Sequence, residues 1–263
     1  MNDIYRKKLI QKYYSARANE YDRQKSRTWK SSHGFGNDVF GEILEGFKKF
    51  KDKSLLEVGI GSGRNAKPLL EKIKPHAVGL DLSKEMLRTA TNKLTNHKQR
   101  LDLILGDVDQ MPFIAGTFEG ILCMSAMHYF PDQEKTLSNF NQLLKKKGIL
   151  IYGDLSPHES DDENFFESLE RTISKAHARY YKTSEMKRLI EKSGFHVNRV
   201  RTIRYKKSYD ALIEDKGTYF DVGIETLRKF IENASMTAKK QYSLTNKEMT
   251  LFYSVVTATK EES

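Results

Sequence analysis

Three glycines at alternate positions, preceded by a carboxylate, are the most informative chemical groups in this 263-residue sequence. In the stretch "LLEVGIGSGRN", Glu57 stands before Gly59, Gly61 and Gly63. A glycine-rich turn that follows a strand lets the backbone approach a ligand closely, and the amide groups at the N-terminus of the next helix then point at that ligand. The stretch therefore predicts a nucleotide-binding loop.

The spacing of the glycines excludes two common nucleotide sites. A dinucleotide loop needs G-x-G-x-x-G, because its third glycine allows close packing of the helix on the strand, and here Arg64 holds that position. The sequence also lacks the G-x-x-x-x-G-K-[ST] pattern of a triphosphate-binding loop. Glu57 has no special use in a dinucleotide enzyme, but at a strand end it can orient the loop or accept hydrogen bonds from a cationic amino group.

Polar groups follow three further apolar runs. Asp81 ends "VGLDL" at about the right distance for a carboxylate that accepts both hydroxyls of a ribose, although with Ser83 it could equally cap the next helix. Asp107, in "LGDVDQMPF", and an adjacent backbone amide can read the edge of an adenine. A fourth run ends in "CMSAMHYFPD", which contains Met124, Ser125 and His128. Open α/β sheets hold ligands at the carboxyl ends of their strands, so these groups should share one crevice.

Such a crevice requires a parallel sheet, and the apolar pattern predicts one. Strand-like runs alternate with helix-spaced segments from about residue 50 to 155, which indicates a doubly wound, mostly parallel α/β sheet. Beyond it, the periodicity predicts helices over 161–181 and 184–194 and strands over 195–205 and 248–260. Residues 208–247 are too many for a hairpin loop and contain the helical pattern "IETLRKFIENA", which predicts an inserted helical cap.

We expect one domain over residues 1–263. Residues 1–50, basic and rich in tyrosine, should form an N-terminal helical lid, residues 51–155 the nucleotide-binding core, and residues 156–263 the rest of the sheet with the cap insert 208–247. We expect the insert and the N-terminal segment to bind a second molecule, the substrate, beside the nucleotide. Their aromatic side chains suit a flat or cationic molecule, although many of them will be ordinary core residues; they include Trp29, Tyr205, Tyr209, Tyr219 and Phe220.

Composition limits the environment and the partners. Forty-five Lys and Arg against 35 Asp and Glu give a net charge of +10, which would attract anions such as nucleic acid but also simply favours solubility. The single cysteine, Cys123, excludes an intramolecular disulfide and suits a reducing compartment. The sequence shows no signal peptide and no apolar run near the ~18 residues that span a bilayer. We expect a soluble, cytoplasmic protein, monomeric or homodimeric, without a transmembrane segment.

The joint pattern resembles the class I S-adenosylmethionine-dependent methyltransferases, and in particular their small-molecule branch, which includes the ubiquinone and menaquinone methyltransferases. The resemblance consists of the glycine loop, Asp81, "GDVDQMPF", "SAMHYFPD" and "LLKKKGILI", in the family's order over residues 55 to 152. "YYSARANEYD" is similar to the N-terminal stretch of that branch, and "FYSVVTATK" is similar to its closing strand. The resemblance implies the family's Rossmann-like fold, a seven-stranded sheet with an antiparallel last strand.

The resemblance also implies a role for each matching residue toward the cofactor S-adenosyl-L-methionine, which leaves as S-adenosyl-L-homocysteine. Gly59, Gly61 and Gly63 would shape the loop under its methionine part, and Glu57 would lie near its amino group. Asp81 would hold the ribose hydroxyls, Leu82 and Met86 would flank the adenine, and Asp107 with Val108 would bind the adenine edge. Met124 and Ser125 would contact the methionine part through their backbones. Tyr14 and Tyr21 would close the site, unless they are ordinary packing aromatics.

Methyl transfer from a sulfonium is an in-line displacement, so positioning of the acceptor can supply most of the rate and a base is optional. His128 is the candidate base, although its imidazole could instead cap the loop or pack beneath Tyr129. Trp29 and His33 are candidates for the acceptor pocket. The isolated histidines and the single cysteine predict no metal site.

Three functions remain open at this point. The first is methyl transfer to an O, N, S or C atom of a small molecule. The positive charge suggests an RNA methyltransferase as an alternative, but the sequence contains neither an "NPPY"-type motif nor a recognisable RNA-binding module. The third is a cofactor-binding partner protein without catalysis, which would have no physical need for the intact glycine loop, Asp81 and Asp107.

Overall fold

The computed structural model describes residues 2–23, 35–216 and 223–261. Within these residues the chain forms ten α-helices and seven strands. In chain order the helices are α1 Asp3–Arg17, α2 Phe35–Gly46, α3 Ala66–Lys72, α4 Lys84–Lys93, α5 Gln133–Leu143, α6 Phe165–Ile173, α7 Thr183–Lys192, α8 Tyr209–Lys216, α9 Ile224–Glu232 and α10 Met236–Gln241. The strands are β1 Ser54–Val58, β2 His76–Asp81, β3 Leu101–Leu105, β4 Phe118–Met124, β5 Leu144–Ser156, β6 Phe195–Ser208 and β7 Glu248–Lys260.

All seven strands form one sheet in the order β3-β2-β1-β4-β5-β7-β6. The first five pair in parallel, and β7 runs antiparallel to both of its neighbours, β5 and β6. The predicted doubly wound α/β sheet with an antiparallel last strand is therefore confirmed. The chain order reverses between β1 and β4, and ligands of open α/β sheets bind in the crevice at such a switch point.

The central strands are mostly apolar in their middle parts, where helices cover both faces of the sheet. Leu56 of β1, Ile121 of β4 and Leu150 of β5 are fully buried, as expected for parallel strands between two helical layers. On one face of the sheet, Ile43 of α2 packs against strand residues, next to the buried Phe47 that follows the helix.

The helix predicted over residues 161–181 is shorter in the structure. It spans only Phe165–Ile173, and the chain then leaves the helical path because the Glu167 carboxylate accepts hydrogen bonds from His177 Nε2 (3.1 Å) and from the Tyr180 amide (2.6 Å). The amide of Ala178 donates to the carbonyl of His128 (2.8 Å). These bonds bring Tyr180 back to the crevice, where a continued helix could not have placed it.

The helices between β6 and β7 form the predicted cap insert. Leu227 and Ile231 of α9 pack with Phe165 and Phe166 of α6 in one hydrophobic cluster. Tyr242, which follows α10 and is fully buried, donates its hydroxyl to Asp161 (2.7 Å). The insert is thus anchored on α6, on the same side of the sheet edge as Tyr180.

Candidate functional site

A cavity opens at the carboxyl ends of β1, β2 and β4, directly above the glycine loop. Open α/β sheets bind their ligands at this place. We term this cavity the glycine-loop chamber. Nine of the residues that were predicted to bind the cofactor line it: Gly59, Gly61, Asp81, Leu82, Met86, Asp107, Val108, Met124 and Ser125.

The glycine loop follows β1 with backbone angles that favour glycine. Gly59 has φ 72° and Gly63 has φ 73°. A Cβ atom at Gly59 would lie 2.6 Å from the Cβ of Ala126, and one at Gly63 would lie 2.5 Å from Leu94 Cδ1. Both positions therefore combine a left-handed backbone with a neighbour too close for any side chain. Gly63 supports the loop from below and does not line the chamber itself.

Asp81 ties the end of β2 to the glycine loop. One carboxylate oxygen accepts the Gly61 amide at 2.7 Å and the other accepts the Ser83 amide at 2.9 Å. Burial raises the pKa of this carboxyl, and the backbone hydrogen bonds oppose that rise. Ser83 itself caps α4 by accepting the Met86 amide (3.3 Å), so Asp81 is not needed as the helix cap. Each oxygen keeps a further lone pair with which to accept a hydroxyl proton.

Glu57 lies behind the chamber wall rather than in it. Its side chain is buried (2% exposed), one oxygen accepts Asn65 Nδ2 at 3.1 Å, and Oε2 has no hydrogen-bond partner among the described residues. Burial raises its pKa to about 8, against the opposing effects of Asn65 and the positive charge of Arg64. Asn65 and Arg64 line the chamber in its place. A buried carboxyl with an unsatisfied oxygen is suited to receive a cationic group.

Helix α1 closes the chamber from the side opposite the sheet. Lys7 Nζ forms an ion pair with Asp107 Oδ2 (2.7 Å) and a second ion pair with Asp109. Burial alone would lower the pKa of Lys7, but the hydrogen bonds to these two carboxylates outweigh it and raise that pKa. Further along, Gln11 donates to the Leu82 carbonyl (3.1 Å). Asp107, the predicted partner of an adenine, therefore already holds a cation from the N-terminal helix.

The end of this N-terminal segment reaches the glycine loop itself. Asp22 accepts the Ser62 hydroxyl at 2.6 Å and forms an ion pair with Lys93 of α4. Tyr14 and Tyr21 both line the glycine-loop chamber, and their rings meet edge to face with centroids 6.0 Å apart. The segment predicted as a lid thus contacts the loops after β1, β2 and β3.

A second cavity adjoins the first and is rich in tyrosine; we term it the tyrosine chamber. Five residues line both cavities and form their shared wall: Tyr14, Tyr21, Arg64, Ser125 and Tyr129. The other described lining residues are Tyr13, Arg17, Phe35, His128, Asp154, Leu155, Tyr180, Tyr205, Lys207, Leu212 and Tyr253. These come from α1, α2, the strand ends, the segment after α6 and the cap insert, so a molecule in this chamber would face one in the other.

His128 lies in the tyrosine chamber with its ring held from one side. Its Nδ1 lies 2.9 and 3.0 Å from the two oxygens of Asp154, which is itself 1% exposed. Tyr180 stacks on the imidazole with centroids 4.7 Å apart, and Tyr129 lies 4.0 Å away on the same measure. A carboxylate at Nδ1 fixes the tautomer that carries the proton there, which leaves Nε2 as the basic nitrogen.

Ser125, at the shared wall, has a strained backbone. Its φ is 53°, in the left-handed region that non-glycine residues rarely adopt. The conformation is maintained by two hydrogen bonds, from the Ser125 amide to the Gly153 carbonyl (2.7 Å) and between the hydroxyls of Ser125 and Tyr253 (2.8 Å). Strain of this kind, held by its surroundings, is common at functional sites.

Several site residues escaped the sequence interpretation. Asp154 follows the apolar run "GILIYG" near the end of β5, the same signal that identified Asp81 and Asp107, and it could have been found that way. Tyr180 and Lys207 have no such signal, because the shortened helix brings Tyr180 to the site and the register of the edge strand β6 brings Lys207 there. Trp29 and His33 lie outside the described residues, as do Tyr219 and Phe220. Tyr205 lines the tyrosine chamber, whereas Tyr209 is a core residue whose hydroxyl donates to the Thr245 carbonyl (2.9 Å).

The described residues form neither a metal site nor a membrane-spanning helix. Within residues 2–23, 35–216 and 223–261, no three His, Cys, Asp or Glu side chains come together in a way that could hold a metal ion. The helices described there are all too short or too polar to cross a membrane.

The sheet order and the glycine loop at its switch point define a class of protein. Residues 56–152 match the family model of a methyltransferase domain. This part of the chain is therefore similar to a methyltransferase domain, and the predicted resemblance to the class I S-adenosylmethionine-dependent methyltransferases is confirmed.

Known proteins extend the similarity beyond this domain. Phosphoethanolamine N-methyltransferase 2 of Caenorhabditis elegans is 26% identical over 203 residues, which are 75% of this chain and 45% of that protein. Demethylmenaquinone methyltransferase of Thermotoga maritima is 29% identical over 117 residues, 44% of this chain and 49% of that protein. The chain spans about half the length of these curated relatives. The crystal structure of the YcgJ protein of Bacillus subtilis shares the fold, with a TM-score of 0.76 and 21% identity over 86% of this chain and 100% of that one.

Proposed function

We propose that this chain is an S-adenosylmethionine-dependent methyltransferase that moves a methyl group to a nucleophilic atom of a small molecule. The observation that carries the proposal is the shared wall between the glycine-loop chamber and the tyrosine chamber. Two ligands bound in adjoining cavities with one common wall can be held in line, which is the main requirement of methyl transfer.

The donor set of the glycine-loop chamber fits S-adenosylmethionine. Asp81 offers a lone pair on each oxygen for the ribose hydroxyls. Glu57 does not line the chamber, and it would act on the amino group by orienting Asn65, which does line it. Leu82 and Met86 would pack on the adenine, and Val108 would offer it a backbone amide. The Asp107 carboxylate would bind the adenine edge in competition with Lys7. When bound, the cofactor supplies a methyl group activated by a sulfonium; every other role belongs to the side chains of this chain.

In the tyrosine chamber, His128 would act as the general base. Asp154 holds the Nδ1 proton, so Nε2 can take a proton from the acceptor as its nucleophile becomes bonded to the methyl carbon. Asp154 also stabilises the imidazolium that forms. Tyr14 would limit the entry of water, since its hydroxyl bonds that of Tyr129 (3.2 Å) across the shared wall. Asp154 acts through His128 and is a positioning residue.

A small-molecule acceptor is supported by the size of the chamber and by the similar proteins. The relatives named above act, by their names, on phosphoethanolamine and on demethylmenaquinone, two chemically different small molecules. The described part of the tyrosine chamber is enclosed by α1, the strand ends and the cap insert. Such an enclosure suits a compact molecule better than a nucleic acid strand.

The test has two parts. Calorimetry with S-adenosylhomocysteine should show binding, and no binding at millimolar ligand would refute the cofactor assignment. Cell extract would then be incubated with the chain and methyl-labelled S-adenosylmethionine and separated into small-molecule, RNA and protein fractions. We expect label in the small-molecule fraction; label in the RNA fraction instead would overturn the proposed acceptor class.

A further inference from the structure

The imidazole of His128 belongs to a buried cluster of three rings. Its centroid lies 4.7 Å from that of Tyr180 and 6.1 Å from that of His177. The rings of Tyr180 and His177 lie 4.7 Å apart by the same measure, and all three residues are buried. In a close-packed cluster one ring can turn only if its neighbours move, so whatever fixes Tyr180 and His177 also fixes the imidazole of His128.

The Glu167 carboxylate of α6 holds the two rings that pack on His128. Its oxygens lie 3.1 and 3.2 Å from His177 Nε2, and Oε1 also accepts the Tyr180 amide (2.6 Å). The Nδ1 atom of His177 is buried and has no hydrogen-bond partner among the described residues. The ring proton of His177 therefore belongs on Nε2, where Glu167 accepts it, because a proton on Nδ1 would be buried without an acceptor.

The segment that carries these rings is also bonded to the backbone of His128. The Ala178 amide donates to the His128 carbonyl (2.8 Å). Asp154 holds Nδ1 of the imidazole, and Tyr180 packs on the ring. His128 is therefore held at three points, and two of them, the carbonyl and the packed ring, depend on the segment that Glu167 ties to α6.

We propose that Glu167 and His177 are positioning residues for methyl transfer: by holding Tyr180 against the imidazole of His128, they set the direction in which Nε2 takes a proton from the acceptor. The inference rests on the proposed function, because it takes His128 as the base. Neither Glu167 nor His177 is among the described residues that line the two chambers, so both act through other side chains. A base works only within hydrogen-bond reach of the proton, so a small rotation of the ring would slow the reaction.

Exchange of the Nδ1 proton of His128 with solvent measures how firmly this ring is held, and it needs no acceptor. The full chain is labelled with isotope-enriched histidine for nuclear magnetic resonance at constant pH, and the signal of this proton is the one that disappears in His128→Gln. Glu167→Ala removes both hydrogen bonds to the segment and should speed the exchange about 10- to 100-fold, the range for hydrogen bonds to a charged group. Glu167→Gln keeps one oxygen acceptor and should give a smaller effect.

A pair of variants at Tyr180 tests the same packing and serves also if Glu167→Ala does not fold. Tyr180→Leu removes the ring beside His128 and should speed the exchange about 2- to 10-fold, whereas Tyr180→Phe keeps the ring and should exchange at nearly the parent rate. Equal rates in Tyr180→Leu and Tyr180→Phe would contradict the proposal.

Glu159→Ala is the matched control for Glu167→Ala. The Glu159 carboxylate also accepts a backbone amide, that of Ser184 (3.0 Å), but it is exposed and is not among the described residues that line either chamber. This variant should leave the exchange of the His128 proton unchanged. Unchanged exchange in Glu167→Ala, equal acceleration in Glu159→Ala, or the absence of a protected His128 proton in the parent chain would each refute the proposal.

Methyl transfer provides a second readout. Transfer of label from S-adenosylmethionine into the small-molecule fraction of cell extract should slow in Glu167→Ala, whereas the affinity for S-adenosylhomocysteine should equal that of the parent. Faster exchange of the His128 proton with an unchanged rate of transfer would mean that the contacts are only structural, and a parallel loss of cofactor affinity would mean that the effect is general; either would overturn the proposal. No binding of S-adenosylhomocysteine by the parent chain would refute the proposed function, while the exchange rates would still report on the ring.

Discussion

Replacing Glu57 by Gln should change how the stability of the protein depends on pH. The carboxyl is buried and its pKa lies at about 8, against an ordinary value of 4.5. The native state therefore keeps a proton that the unfolded chain has lost between these two values, so the free energy of unfolding falls as the pH rises through this window. Gln mimics the protonated form and can still accept the hydrogen bond from Asn65.

The size of the effect follows from the two pKa values of Glu57. One pH unit corresponds to about 1.4 kcal/mol, so the native state bears a cost of about 5 kcal/mol above pH 8 that is absent below pH 4.5. The stability of the Gln variant relative to the parent should rise by about 1.4 kcal/mol per pH unit over most of this range.

Urea unfolding of both proteins at about pH 5, 6, 7 and 8 measures the difference directly. Glu71→Gln serves as the control, because Glu71 is exposed on α3, with Lys67 3.9 Å away, and surface ion pairs contribute little to stability. Its difference from the parent should stay flat. A constant difference for Glu57→Gln as well would mean that the carboxyl is already charged at pH 5, and the argument from burial would be wrong.

Three further changes test the site. Asp81→Ala should weaken S-adenosylhomocysteine binding about 100-fold or more in calorimetry, because two hydrogen bonds to a charged group are lost. Asp154→Asn should lower kcat about 100-fold and shift its pH profile, and combining it with His128→Gln should add little, because the two residues act as one unit. Gly63→Ala should destabilise the chain by about 1–3 kcal/mol in urea, whereas Gly41→Ala, where an added Cβ meets nothing within 4 Å, should not.

The sequence predicted the sheet well because its signals are local. Each of the five parallel strands is an apolar run bounded by charge or glycine, and each crossover helix has its own periodicity. The same locality explains why the predicted residues at strand ends lie together: Asp81 and Asp107 follow such runs, and parallel strands bring their carboxyl ends to one edge of the sheet. The error in α6 has the opposite origin, since Glu167 ends the helical path through contacts with residues ten and thirteen positions away.

The tyrosine chamber could not be predicted in the same way. Tyr180 reaches it through the shortened helix, Lys207 through the register of β6 at the sheet edge, and Arg17 through the docking of α1. None of these three placements can be recognised from the neighbouring residues in the sequence. The two chambers therefore differ in how much the sequence reveals: strand ends build the first, and long-range packing builds the second.

The tyrosines of the second chamber also limit which group can act as a base. Burial raises the pKa of Tyr14, Tyr180 and Tyr253 above the ordinary value, so these phenols stay protonated near neutral pH and serve as donors. Asp154 is occupied by the histidine ring, and the remaining ionisable groups of the described lining are cations or tyrosines. His128 is thus the group in this chamber that is best placed to accept a proton. The protonated tyrosines and the cations around it donate hydrogen bonds.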